Sequence, residues 1–422
     1  MSVLLKSANV LYDGKFEAKD IVIDGGIVSE ILSPHSFVDG YDEVIDLKGK
    51  FIFPGLIDVH THLREPGFFY KEGIATATAA AATMGYTALF AMPNLDPVPD
   101  SPENINKELA LIKEKALIKV YPYAAVTVGE KGEKTVDIEG LKDLAVAFSD
   151  DGKGVQREEI MLEAMKRCKA VGKIIAAHCE DENLVCGGYI HKGAYAAAHG
   201  HRGIPSESEW KQIERDIALV RITGCGYHVC HVSAARSVEL IREAKKEGLP
   251  VTAETAPHYL TLDEGDLRED GRFKMNPPLR GRADREALVQ GVADGTIDLI
   301  ATDHAPHSAE EKSRGLKDSL MGITGLETAF PVLYTELVKT GVIPLEKLIA
   351  LMSTNAADIF GVPGGRIVKG ETADLCVYDL GYEYVIDSKK FVSKGKSTPF
   401  DGRKVCARCD MTFEAGRLVW KR

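Results

Sequence analysis

His60 and His62 stand one residue apart at the end of the apolar run 51–59. In an extended strand, side chains two positions apart point to the same side. Two imidazoles on one face can share a metal ion. Imidazole nitrogen suits zinc, and zinc makes water nucleophilic near neutral pH. Arg64 follows on the same face if the chain stays extended, and its guanidinium fork suits both oxygens of a carboxylate. Together these residue types point to a hydrolytic site for a carboxylate-bearing substrate. Alone, the His-Thr-His triplet reads equally well as a His-rich turn. The rest of the chain decides between the two.

Polar, metal-competent groups recur wherever an apolar run stops. The run at 86–93 leads into Asn94, whose amide can complete a carboxylate site beside Arg64. The others end in Asp150-Asp151, His178, His231, Glu254 to His258, and Asp303-His304 followed by His307. This inventory fits two divalent ions. His60, His62 and Asp303 suit one, and His178 and His231 the other. Two cations this close need a carboxylate between them, and Asp150 and Asp151 are the candidates. Successive strand residues face opposite ways, so one points inward; spacing alone does not choose. Glu254 suits fixing a histidine tautomer, His258 a structural place, and His304 the orienting of its loop.

Such residues need a scaffold that brings strand ends together. Apolar runs at 51–60, 86–93, 119–128, 144–150, 173–178, 226–231, 250–256 and 298–303 alternate with helical patterns. In one, Ser101 can cap and Pro102 can start a helix with an apolar stripe of Ile105, Leu109, Ile112 and Ala116. Helices are also expected from Glu158 to Lys169 and from Val238 onward. Eight strands alternating with helices predict an α/β fold, a (β/α)8 TIM-type barrel whose active site lies at the strand ends. An open doubly wound sheet would need a glycine-rich phosphate turn, and neither GxGxxG nor a Walker A pattern occurs. Residues 1–50 and 365–422 read instead as short strands and turns, among them 9–12, 20–23, 25–28, 365–368, 374–378 and 416–420. The expected organisation is a small β-sandwich built from 1–50 plus 365–422, with a catalytic barrel at 51–364.

Composition agrees with a globular enzyme. Of 422 residues, 45% are hydrophobic and 27% charged, proportions ordinary for a soluble protein. The formal net charge of −11 argues against nucleic-acid and anionic-membrane partners. No run reaches the ~20 apolar residues that span a bilayer, and the first residues lack a signal-peptide core, so a cytoplasmic location is expected. Eight cysteines are too few for a disulfide scaffold. Cys406 and Cys409 form a single CxxC, read as two small strand residues. The segments 187–208 and 308–318 read as long surface connections, the second a mobile cover for the site, and either is open to a partner subunit.

Several longer motifs carry a family resemblance. Asp58-Val59-His60-Thr61-His62-Leu63-Arg64-Glu65-Pro66-Gly67 resembles the signature of dihydroorotases in the amidohydrolase superfamily. So do Ala91-Met92-Pro93-Asn94, the stretch from Glu254 to Leu260, that from Lys274 to Arg280, and that from Asp303 to Lys312. The resemblance spans essentially the whole chain, with Leu95 a departure where Thr is common. It implies zinc, one or two ions per chain, and reversible closure of N-carbamoyl-L-aspartate to (S)-dihydroorotate in pyrimidine synthesis. Related hydantoinases and allantoinases bridge their metals with a carbamylated Lys after strand four. Here Phe148-Ser149-Asp150-Asp151-Gly152 has none, so the chain is similar to the class with an Asp bridge. By that resemblance Asp151 is the bridge, the second ion is weakly held, and Asp303 also moves the proton. The same resemblance adds Asn276, His307 and the backbone at Met321-Gly322 to the substrate contacts, with His62, Arg64 and Asn94. It allows a homo-oligomer and a complex with aspartate transcarbamoylase. The rivals are another cyclic amidohydrolase, of hydantoinase or allantoinase type, and a metal-free scaffold subunit of the transcarbamoylase. Retention of all five metal-binding histidine and Asp303 positions argues against the scaffold.

Overall fold

The computed structural model of the chain describes residues 2–34 and 40–422. Five strands open it: β1 (Val3–Tyr12), β2 (Lys15–Asp24), β3 (Ile27–Leu32), β4 (Glu43–Asp46) and β5 (Phe51–Pro54). Next come β6 (Leu56–Thr61), β7 (Tyr86–Ala91), β8 (Lys119–Pro122), β9 (Ile174–Ala177), β10 (Ile190–His191), β11 (Gly203–Ile204), β12 (Gly226–Val229), β13 (Val251–Thr255) and β14 (Leu299–Ile300). The chain closes with β15 (Leu375–Val385), β16 (Lys404–Glu414) and β17 (Arg417–Lys421).

Both chain ends build one eight-stranded sheet, in the order β17-β16-β15-β5-β1-β2-β3, with β4 on β1. β1 serves two parallel partners in turn. Residues 3–6 pair with β4 and residues 9–10 with β5. The register breaks between Leu5 and Ala8, where Ser7 has φ +62°. One face buries Val3, Leu5, Val10, Ile21, Ile23, Ile52 and Leu375 in a common core. Residues 365–368 form no strand, because Gly364 and Gly365, with φ of +113° and +76°, turn the chain before it can extend.

β6, β7 and β8 are parallel, and so are β9, β12, β13 and β14. Single bridges join these arcs into a ring. Phe148 bridges Ala124 and Ile175 on one side, and Thr61 bridges His304 on the other. The inside of the ring is packed with Ile57, Val59, Ala88, Phe90, Ala147, Ala176, Leu299 and Ala301, a filled core rather than a pore. The helices are where the periodicity places them. Helix Pro102–Lys115 is capped by the Ser101 side chain on the Asn104 amide, with Ala116 as its C-cap. Helix Glu158–Ala170 buries Ile160, Ala164 and Cys168, and helix Ala235–Lys246 buries Val238, Ile241 and Ala244.

Two strand expectations need correction. The apolar run 51–60 is two strands, since β5 joins the terminal sheet and only β6 joins the barrel. Gly55 separates them at a close approach: a Cβ there would lie 2.2 Å from Thr87 Oγ1. The fourth barrel strand is reduced to Phe148. Beyond it, the amides of Val126 and Thr127 donate to the Asp150 carboxylate instead of to a strand carbonyl.

Candidate active site

His60 is the second-last residue of β6, and His62 follows the strand's end. His178 follows β9, His231 lies two residues beyond β12, and Asp303 lies beyond β14. Ring closure therefore brings residues from four strand ends to one mouth of the barrel, and Asp151, after Phe148, joins them there. Asp151 sits among four imidazoles. Its carboxylate oxygens lie 3.3 Å from His60 Nε2, 3.5 Å from His62 Nε2, 3.8 Å from His178 Nδ1 and 3.4 Å from His231 Nε2. Asp303 Oδ1 is 3.3 Å from His62 Nε2 and 3.7 Å from His60 Nε2. His178 Nδ1 and His231 Nε2 are 2.9 Å apart. One donor atom from each of His60, His62 and Asp303 lies within 4.8 Å of the others, and so it is for His60, Asp151 and His231. Asp150 turns the other way, onto the Val126 and Thr127 amides at 2.7 and 3.0 Å and the Thr127 hydroxyl.

All these groups are buried. Burial disfavours charge on His60, yet Asp151 and Glu254 outweigh it and hold the ring's pKa well above its ordinary value. Burial raises Asp151 and Asp303 too, but the surrounding imidazoles win and keep both carboxyls below their usual range. Such a nest of carboxylates and imidazoles suits a cation. His60 Nε2 and Asp151 Oδ1 are buried with no hydrogen-bond partner among the described residues. Glu254 holds the outer side: its Oε1 is 2.6 Å from His60 Nδ1 and its Oε2 3.1 Å from His228 Nε2. A carboxylate only accepts, so His60 Nδ1 donates to Glu254 and Nε2 is the nitrogen that faces inward, where a cation would take the place of its proton. His231 and Asp303 have φ of +34° and +47°, and Arg64 +60°. Such conformations are costly for residues with a side chain and concentrate at functional sites.

Arg64 is next to this cluster. Its Nε reaches the Pro306 carbonyl at 3.4 Å, and it makes no ion pair among the described residues. The neighbouring acids are occupied elsewhere, Glu65 by Lys115 at 2.5 Å and Glu72 by the Gly73 amide and the Thr76 hydroxyl. Asn94 donates to the Asp151 carbonyl at 2.5 Å, which leaves one N–H of its amide. Asn276 donates to Glu180 Oε2 at 3.1 Å. His307 Nε2 lies 2.7 Å from the Met321 carbonyl, and its Nδ1 3.3 Å from Lys71 Nζ. Burial, with Arg64 and Lys71 close by, pulls His307 down to about 3. Gly322, at φ +132°, packs against Ala305, where a Cβ would fall 2.5 Å from a carbonyl oxygen.

A family profile described as "Dihydro-orotase-like" matches residues 49–237. The chain is 49% identical to a dihydroorotase of Bacillus cytotoxicus, with 100% of this chain and 99% of the relative covered. It is 48% identical, over the same shares, to a dihydroorotase of Bacillus cereus. The chain belongs to the dihydroorotase family. Among solved structures it resembles the L-hydantoinase of Arthrobacter aurescens, with a TM-score of 0.90 and 27% identity over 99% of this chain and 96% of that one. It also shares the fold of the dihydropyrimidinase of Brevibacillus agri, with a TM-score of 0.86 and 24% identity over 100% and 95%. The fold class is therefore that of the amidohydrolase barrels with their added β domain. As a dihydroorotase-family member, the chain is a cyclic amide hydrolase.

In this dihydroorotase-family site, sequence reasoning missed three residues. Asp58 accepts from the amides of His60 and Thr302 at 3.1 and 3.2 Å, tying the first and last barrel strands together; burial pushes it up to about 6. The ammonium of Lys312 is buried and donates to the carbonyls of Lys274, Leu320 and Gly322 at 3.0, 2.8 and 2.7 Å. Glu180 lies between Asn276 and His178. Each stands inside a motif quoted above or just after a candidate ligand, but only the fold shows what it touches. His258 is buried beside Tyr259, and burial pulls it down to about 4. His304 Nδ1 accepts from the Gly325 amide at 3.2 Å. His199 and His201 lie in a surface cluster with Tyr195 and Glu269, and His191 lies near Arg280, all apart from the metal-competent groups. The eight cysteines are free, Cys406 and Cys409 among them.

Proposed function

We propose that the chain catalyses reversible closure of N-carbamoyl-L-aspartate to (S)-dihydroorotate and water in pyrimidine synthesis. The observation that carries this is the half-buried Arg64, with no ion pair among the described residues, beside four imidazoles and two carboxylates, a carboxylate receptor next to a hydrolytic centre. The 49% identity to a named dihydroorotase supports it.

The residues fit a pair of divalent ions, for the reasons of donor type, closeness and unpartnered lone pairs given above. Nitrogen and oxygen donors of this kind suit zinc. His60, His62 and Asp303 would hold one ion, His178 and His231 a second, and Asp151 stands between them. Bound there, the ions would lower the pKa of water and polarise the amide oxygen of the substrate. Arg64 binds the substrate carboxylate with its fork, and Asn94 completes that contact with its remaining N–H. Asn276, His307 and the Met321–Gly322 backbone line the same pocket in this reading. In the hydrolytic direction Asp303 accepts the proton of the attacking water and delivers it to the departing ring nitrogen. In the closing direction it takes the ureido proton as that nitrogen attacks the side-chain carboxyl, and returns it to the carboxyl oxygen as its C–O bond breaks, so that the oxygen departs as water.

Asp303→Asn tests the proton role. Turnover should fall by about 100-fold or more while zinc is kept; undiminished turnover would refute it. A hydantoinase-type substrate is disfavoured by Arg64 and by the absence of a Lys at 149–151, and parallel assays of dihydroorotate, hydantoin and allantoin compare them. Among the described residues no helix is long and apolar enough to cross a membrane, and a cytoplasmic location is part of this reading on family resemblance. Self-association and a complex with aspartate transcarbamoylase complete the reading on family resemblance alone, and sedimentation with and without transcarbamoylase tests them.

A further inference from the structure

Glu180 lies between the substrate side and the metal-competent side of the barrel mouth. Its Oε2 accepts from Asn276 Nδ2 at 3.1 Å and lies 3.7 Å from His178 Nε2, the ring nitrogen turned away from Asp151. Its backbone is held on both sides: its amide donates to Gln212 Oε1 at 3.1 Å, and its carbonyl accepts from Gln156 Nε2 at 2.8 Å. A carboxylate can only accept, so the NH2 of Asn276 must face it. The other end of that amide, Oδ1, is thereby aimed away, and it is buried without a hydrogen-bond partner among the described residues. An unpartnered buried carbonyl costs free energy unless something donates to it.

We propose that Glu180 is a positioning residue: it turns Asn276 so that Oδ1 accepts a hydrogen bond from an N–H of the ring or ureido group of the substrate, and it steadies His178 from behind. The inference rests on the dihydroorotase reading and adds to it the reason for Asn276's orientation. It makes substrate selection depend on an N–H donor as well as on the carboxylate at Arg64. It also links the substrate pocket to the metal-competent side through a single carboxylate. Outer carboxylates of this kind commonly change metal affinity 10–100-fold when removed.

The test is a double-mutant cycle on zinc-loaded protein with zinc titration of the stripped proteins beside it. Glu180→Ala and Asn276→Ala should each lower kcat/KM for dihydroorotate about tenfold or more. The double variant should lose little beyond the worse single one, because the two residues act as a unit. Zinc affinity should fall several-fold in Glu180→Ala and stay unchanged in Asn276→Ala. Glu180→Gln keeps an acceptor oxygen and the side-chain shape, so it should recover part of the loss and guards against misfolding of the alanine variant. Losses that simply multiply in the double variant, or a Glu180→Ala protein with wild-type kcat/KM, would overturn the proposal. Those results leave wild-type turnover of dihydroorotate intact, whereas its absence would strike the family reading instead.

Discussion

Most of the chemistry turns on adjacent residues doing different work. Asp150 and Asp151 are both buried, yet one serves two backbone amides and the other four imidazoles. Asp150→Ala should cost about 2 kcal/mol of stability through the orphaned amides of Val126 and Thr127 with zinc content kept. Asp151→Ala should lose bound zinc at little change in fold; melting curves with metal analysis tell them apart, and the reverse pattern would exchange the assignments. The histidine positions were legible because each closes an apolar run. The choice between the two aspartates was not, because it is set by amides from a different strand. Glu130 makes a pH prediction at the same scale. Burial, then the charge of Asp150, pushes its carboxyl up from 4.5 to about 8. The fold therefore favours the protonated form, and its contribution to stability is complete below pH 4.5 and is lost as pH rises through about 8. Between pH 6 and 9 the wild type should lose more melting temperature than Glu130→Gln; equal losses would refute the assignment.

At the scale of elements, alternation of apolar runs with helical periods disclosed the barrel, and the corrections came where side chains replaced backbone partners. Periodicity sees hydrophobic strands, so it read 144–150 as one. It cannot see that Asp150 takes over the amides a ladder would use. Nor can it see that Gly55 divides one apolar run between two sheets. The segment 308–318, expected as a mobile cover, contains the short helices Ala309–Lys312 and Gly315–Asp318, and Ser308 and Glu311 form a capping box. Lys312 anchors it, spending three donors on carbonyls at 274, 320 and 322. Lys312→Met keeps the length of the side chain and removes the donors. KM for dihydroorotate should rise about tenfold, with zinc content unchanged, because the Met321–Gly322 backbone loses its support. Steady-state kinetics with metal analysis check this, and an unaltered KM would mean that the clamp does not position substrate.

For the whole molecule, the two-ended sheet and the barrel make a common pattern. β5 leads through Gly55 alone into β6, so the first metal-competent histidines stand on the barrel strand that directly follows the terminal unit. We take residues 1–54 with 365–422 as that unit, moved by one short strand from the boundary expected at residue 50. The barrel's chemistry in this reading presupposes that ring closure gathers nitrogen and oxygen donors that would hold divalent ions. The most direct test strips the protein with a chelator, returns zinc in steps, and follows cyclisation of N-carbamoyl-L-aspartate together with bound zinc. The stripped protein should be inactive, and activity should return in proportion to zinc bound, reaching its plateau at one or two ions per chain. Undiminished cyclisation by the zinc-free protein would contradict the account at its centre.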